Sequence, residues 1–192
     1  MMLYIPNIVF LLTLAVAGFV FAKNVGKIKR NIFLGKDIDR TDRRSDRWKT
    51  MLRVAFGQSK MTVKPVAGIL HIVVYAGFLL INIEVLEIVI DGILGTHRIF
   101  EEPLGSIYTL SINFFEILAF AVIVACIIFL WRRNVLKLDR FNKPEMKGWP
   151  FKDANNILFI EIALMLALLM MNAVELNFTS HEGSPFVISQ FL

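Results

Sequence analysis

The sequence predicts an all-α fold: an integral membrane helical bundle of four transmembrane helices plus a short cytoplasmic interfacial helix. Three observations predict it. Of 192 residues, 56% are hydrophobic and 19% charged, against about 45–50% and about 25% in an ordinary soluble domain. Four long apolar runs each approach or exceed the ~20 helical residues that cross a hydrocarbon core of about 30 Å. And 20 of the 21 basic residues fall in two of the three loops between those runs. The runs are continuous rather than alternating, which favours helices over barrel strands.

The first span is placed at residues 3–22. It is read as a retained helix rather than a signal peptide, because its first basic residue, Lys23, follows the apolar run and no small-x-small cleavage site precedes it. The others are placed at 66–90, 106–131 and 154–174, the last with Asp153 as N-cap. Residues 1–192 are taken as a single transmembrane domain. The plain reading of the uncharged phrase from Pro185 to Leu192 is a frayed or interface-lying tail. The reading taken is the opening of a further element, which makes the chain the N-terminal part of a longer protein.

The basic residues set the orientation. Loop 23–65 holds 13 Lys/Arg and 4 Asp, and loop 132–153 holds 7 Lys/Arg and 3 acids. Loop 91–105 holds one basic residue, Arg98, with Asp91, Glu101 and Glu102. The positive-inside rule makes both basic loops cytoplasmic and the N-terminus external. Basic juxtamembrane loops contact anionic lipid, so the net charge of +5 calls for no nucleic acid.

Within loop 23–65, Trp48, Met51, Leu52, Ala55 and Phe56 fall on one helical face, with Arg47, Lys49, Thr50 and Arg53 off it. This predicts an interfacial helix, capped by Ser45. Asp37, Asp39 and Asp42 have the look of a calcium loop, but the turn glycine is Asp42 and the closing glutamate is Trp48, so the match fails.

Ionisable groups inside a span are costly, which makes each a functional candidate. They are His71, Glu84 and Glu87 in the second span, Glu116 in the third and Glu161 in the fourth. Asn82, Asn113 and Asn172 are the main neutral polar groups. At about 1.5 Å per residue, His71 and Glu161 share an inner depth, and Glu84 and Glu116 lie at middle to outer depth. His71 is the one histidine within a span and is the candidate haem axial ligand; its plain reading is a hydrogen bond to a neighbour such as Glu161. Glu84, Glu116 and Glu161 are candidates for a quinone site or proton path, since carboxyls in low dielectric exchange protons nearer neutral pH. The plain reading is hydrogen-bonded glue between helices. The single cysteine, Cys126, excludes an internal disulfide and a Cys-based zinc or iron–sulfur site. No phosphate-cradling glycine loop or nucleophile elbow is present.

Several runs resemble a known family: Gly57-Gln58-Ser59-Lys60-Met61, Pro65 to Ile72, Asn82 to Glu87, Gly92 to Arg98, and Lys147-Gly148-Trp149-Pro150. They resemble the membrane domain of the heterodisulfide-reductase-related iron–sulfur-binding proteins of the Bacteroidetes type, which is similar to the nitrate reductase gamma subunit. The resemblance covers essentially the whole chain. It implies a membrane module passing electrons between a cytoplasmic iron–sulfur domain, or an electron-transfer flavoprotein, and membrane quinone. It implies haem b at His71 with the second ligand outside this chain, and an iron–sulfur cluster only in a part of the parent protein beyond it. The competing expectation is a non-enzymatic four-helix anchor or assembly protein that recruits a cytoplasmic partner.

Overall fold

The structure is a computed structural model that describes residues 5–178, apart from 37, 40, 60, 62 and 142, together with 186–192. Among them every regular element is helical: α1 (Ile5–Ile32), α2 (Arg44–Met51), α3 (Pro65–Leu94), α4 (Glu101–Leu104), α5 (Ser106–Asn134) and α6 (Trp149–Phe178), with short 3-10 turns at Asp139–Phe141, Pro144–Met146 and Ser189–Phe191. The all-α expectation holds. Four helices, α1, α3, α5 and α6, are long and apolar enough to cross a membrane. The described residues gather into two compact units, 1–57 with 86–99, and 58–85 with 100–192.

In the first unit, α1 runs well past its expected end at residue 22. No proline interrupts Lys23 to Ile32, and Lys29 and Arg30 in the last turn suit the negative end of the helix dipole. None of its residues is buried, although residues 8–22 are apolar nearly all round, which is the pattern of a lipid-facing helix. Its contact with the end of α3 depends on a missing side chain. A Cβ on Gly92 would come within 2.6 Å of the Phe10 ring, and Asn7 Nδ2 donates to the Gly92 carbonyl at 2.9 Å. Gly95 closes α3 at φ 74; its N–H and that of Thr96 both donate to the Asp91 carbonyl, at 2.7 and 3.2 Å. This is a left-handed glycine cap, a conformation that Gly adopts without Cβ strain. The Asp91 carboxylate then accepts the Arg98 N–H at 2.7 Å.

The helix expected within loop 23–65 is present as α2, extended by one π turn at Leu52–Phe56. Its cap differs from expectation. The helix starts at Arg44, behind Arg43 at φ 44, and no side chain caps it. Ser45 therefore lies inside the first turn, where its hydroxyl is past the capping position. Upstream, the hydroxyl and N–H of Thr41 both donate to Asp39 Oδ1, at 2.7 and 2.9 Å. Those bonds, the hydroxyl's first, hold the Asp39 carboxyl below its usual range. Asp37 lies outside the described residues.

In the second unit, α5 packs along α6. Residues Ile112, Phe115, Glu116, Ala119, Val122, Ile123 and Cys126 are buried along one stripe of α5, at the i, i+3, i+4, i+7 spacing of a single face. Met165, Leu168, Leu169 and Asn172 make the facing stripe on α6. α3 joins this core through Gly77, where a Cβ would collide with Val122 Cγ2. Small residues at such crossings let helices approach in lipid, where dispersion and polar contacts replace the hydrophobic drive.

α6 begins at Trp149, behind Gly148 at φ 80, five residues ahead of the expected start. Proline is tolerated in a first turn because its missing N–H has no intrahelical partner there, so Pro150 does not delay the helix. Asp153 is consequently an internal residue rather than the N-cap. The segment 186–192 is no frayed tail: Phe186 and Ser189 are buried against the α5–α6 core.

Candidate functional site

The spans place their polar residues in distinct surroundings. His71 lies in the second turn of α3. Its Nε2 is 3.2 Å from Gln58 Oε1, within hydrogen-bond distance. The imidazole stacks on Tyr75, one turn along, with centroids 6.5 Å apart and planes at 10°. Among the described residues the partner of His71 is thus Gln58, from the loop before α3, and not Glu161. A short-range hydrogen bond across a loop leaves no periodic trace in sequence.

Glu84 is 2% exposed and Glu87, one turn further, 3%. Glu161 is half-buried on α6 and makes no hydrogen bond among the described residues. Asn113, on α5, has a buried Oδ1 without a hydrogen-bond partner among them. A buried acceptor left so costs about 1–3 kcal/mol unless water or a ligand donates to it.

Glu116 is fully buried and four donors converge on it. Asn172 Nδ2 on α6 donates to Oε1 at 3.1 Å. The backbone N–H groups of Ile188 and Ser189 donate to Oε2, at 2.9 and 3.3 Å. The Ser189 hydroxyl also contacts Oε1 and lies 2.9 Å from the Leu169 carbonyl. The carboxyl group therefore fastens segment 186–192 to two helices. Sequence reasoning found Glu116 and Asn172 but missed Ser189, because no local pattern signals a partner 73 residues away.

At the other end of the α5–α6 pair, Arg133 is only 8% exposed. Its Nε donates to Asn155 Oδ1 at 3.0 Å and its Nη2 to the Phe151 carbonyl at 3.3 Å. The guanidinium lies 4.8 Å from the Phe141 ring centroid and 4.9 Å from that of Phe151. Asn155 in turn donates to Asn134 Oδ1 at 2.9 Å. This residue counts toward the basic loop by sequence, yet it is a buried cation held by aromatic faces and amide oxygens.

Two prosthetic groups follow from the expected resemblance, and the residues present can be tested against each. An iron–sulfur cluster takes about four thiolates; the sequence has one cysteine, Cys126, buried within α5. Among the described residues no group of three His, Cys, Asp or Glu side chains could hold a metal ion. The 192 residues do not fit a cluster. For a haem with two histidine ligands they offer His71 alone within the spans, with Nε2 engaged by Gln58, so they do not fit that group unaided.

Fold and site together define a multi-pass helical membrane protein with carboxyl groups buried inside its spans. Over 174 residues, 91% of this chain, the sequence is 27% identical to a protein of Bacillus subtilis (strain 168) described as "Probable iron-sulfur-binding oxidoreductase FadF". The chain spans 23% of that relative's length. No family model matches the chain, and no solved structure does. The relative agrees with the iron–sulfur oxidoreductase part of the expected resemblance and says nothing of a nitrate reductase gamma subunit.

Proposed function

We propose that the chain is the membrane module of an electron-transfer oxidoreductase, relaying electrons between an iron–sulfur or flavoprotein donor on its basic, cytoplasmic side and quinone in the membrane. The observation that carries this reading is the distant similarity to an iron–sulfur-binding oxidoreductase along 91% of the chain. The module does not carry the cluster chemistry itself, because its one cysteine cannot.

Quinone reduction consumes two protons with two electrons, so the module needs proton-exchanging groups within the spans. Glu84 is the buried carboxyl we assign to that exchange, with Asn113 Oδ1 as an acceptor for a quinol hydroxyl. Glu161, half-buried, is a second group within reach of a lipid-borne quinone. Glu116 is committed to Asn172 and segment 186–192, so its part is to position rather than to relay. Haem at His71 forms no part of the proposed reaction.

The test is to isolate the native product from membranes of the source cell in mild detergent. Iron content, flavin content and the turnover of a short-chain quinone are then measured. The expected result is iron–sulfur or flavin redox centres accompanying the chain, and quinone turnover that falls at least tenfold in Glu84→Gln. A product with no redox centre and no quinone turnover refutes the reading and leaves the four-helix anchor in its place.

A further inference from the structure

The basic stretch before α3 contains a groove of about 540 Å³ lined by Thr41, Arg44, Arg47, Trp48 and Met51. Its chemistry is sorted along the helix. Arg44 lies one turn before Trp48, and Arg47 one turn before Met51, so two guanidinium groups sit beside an indole and a thioether. Neither arginine is paired with an acidic side chain among the described residues; the ion pair of this stretch is Arg43 with Asp42, at 3.3 Å. Asp46 falls on the opposite face by its spacing. Trp48 is 56% exposed, and Leu52 and Phe56 continue the apolar strip beyond it.

We propose that this groove binds the headgroup of an anionic phospholipid in the leaflet beside residues 33–64. The arginines take the phosphate through paired N–H donors, and Trp48 and Met51 take the glycerol and upper acyl region, as tryptophan does at membrane interfaces. Two observations select lipid over an acidic protein face. The strip is amphipathic, as an interface-lying helix is, and lipid joins phosphate to hydrocarbon in one molecule. The chain is also tethered at the membrane boundary: candidate spans flank it on both sides. Only Gly57 separates Phe56 from Gln58, the residue that hydrogen-bonds His71 inside α3.

The experiment uses the full chain in nanodiscs, with Trp131 and Trp149 replaced by Phe so that Trp48 is the sole indole. Phosphatidylglycerol brominated near the glycerol is expected to quench Trp48 several-fold more than brominated phosphatidylcholine. Each cation near an anionic surface contributes enough that removing two, in Arg44→Gln/Arg47→Gln, weakens phosphatidylglycerol binding about 30-fold. Lys27→Gln/Lys29→Gln, outside the groove, leaves the quenching intact. Far-UV circular dichroism checks that each variant keeps its helices, and native mass spectrometry counts retained lipid as an independent readout. Equal quenching by both lipids, or none by either, overturns the proposal. So does displacement of phosphatidylglycerol by inorganic phosphate, which marks a free-phosphate site. A change in Trp48 emission with an acidic polypeptide but not with lipid overturns it in favour of a protein partner.

Discussion

Replacing Glu116 by Ala removes the group on which segment 186–192 is hung. Two of the lost contacts are backbone N–H groups, Ile188 at 2.9 Å and Ser189 at 3.3 Å. Hydrogen bonds of this kind contribute about 1–3 kcal/mol each, and a buried donor left unpaired forfeits a similar amount. Taking about 3 kcal/mol for the pair, the equilibrium for undocking the segment shifts by roughly 100-fold. The Ser189 hydroxyl keeps the Leu169 carbonyl at 2.9 Å, so that contact does not enter the sum. Hydrogen–deuterium exchange of the peptide containing Ile188 and Ser189, in nanodiscs, reads the shift directly. Those two amides are expected to exchange about 100-fold faster in Glu116→Ala. In Glu116→Gln the effect is smaller, about tenfold, because one side-chain oxygen remains to accept the backbone pair. Unchanged protection of both amides in Glu116→Ala refutes the reasoning, since the segment would then be held by the packing of Phe186 and the Ser189–Leu169 contact without the carboxyl group.

Three further outcomes follow from the packing. Gly77→Ala drives a methyl group into Val122, whose branched side chain has little freedom to move, and is expected to destabilise by about 1–3 kcal/mol; thermal unfolding in detergent checks it, and Val122→Ala in the same chain restores part of the loss. Arg133→Lys is expected to behave nearly as badly as Arg133→Gln, each losing about 2–3 kcal/mol, because an ammonium lacks the guanidinium fork that donates to both Asn155 and the Phe151 carbonyl while meeting the Phe141 and Phe151 rings. A lysine variant as stable as the parent refutes the need for the fork. Gln58→Ala frees His71 Nε2, and acylation of His71 by diethyl pyrocarbonate, read by mass spectrometry, is expected to speed up several-fold.

Composition and period make the spans and the interfacial helix legible in the sequence. Spans announce themselves because hydrocarbon tolerates few charges over some 20 residues, and α2 because Trp48, Met51, Leu52 and Phe56 repeat with helical period. The ends are less legible. Ser45 and Asp153 are chemically good caps, yet Arg43 in a left-handed conformation starts α2 and Gly148 precedes α6. Propensity at a terminus is worth about 1 kcal/mol, which tertiary contacts easily override. The site is half legible. Cost marks Glu84 and Glu116 as meaningful inside a span, but not which partner each meets. Ser189 sits in an apolar phrase that carries no polar periodicity. Arg133 reads as one more topogenic cation, because burial of its guanidinium against Phe141 and Phe151 depends on where α6 begins.

The pairing of Glu116 with Ser189 bears on how the protein is made. The spacing from Glu116 to Arg133 on α5 equals that from Asn155 to Asn172 on α6, so the two polar fasteners, roughly 25 Å apart along the helices, fix one register and reject a slip by a turn. Arg133 can close its end once α6 has begun to emerge, but Ser189 follows Glu116 by 73 residues. At about 5–20 residues per second of synthesis, Glu116 waits roughly 4 to 15 seconds for its last donors. During that interval the Glu116 carboxyl group waits for the backbone donors that close it, so this fastener is complete only once the segment that follows α6 has been made.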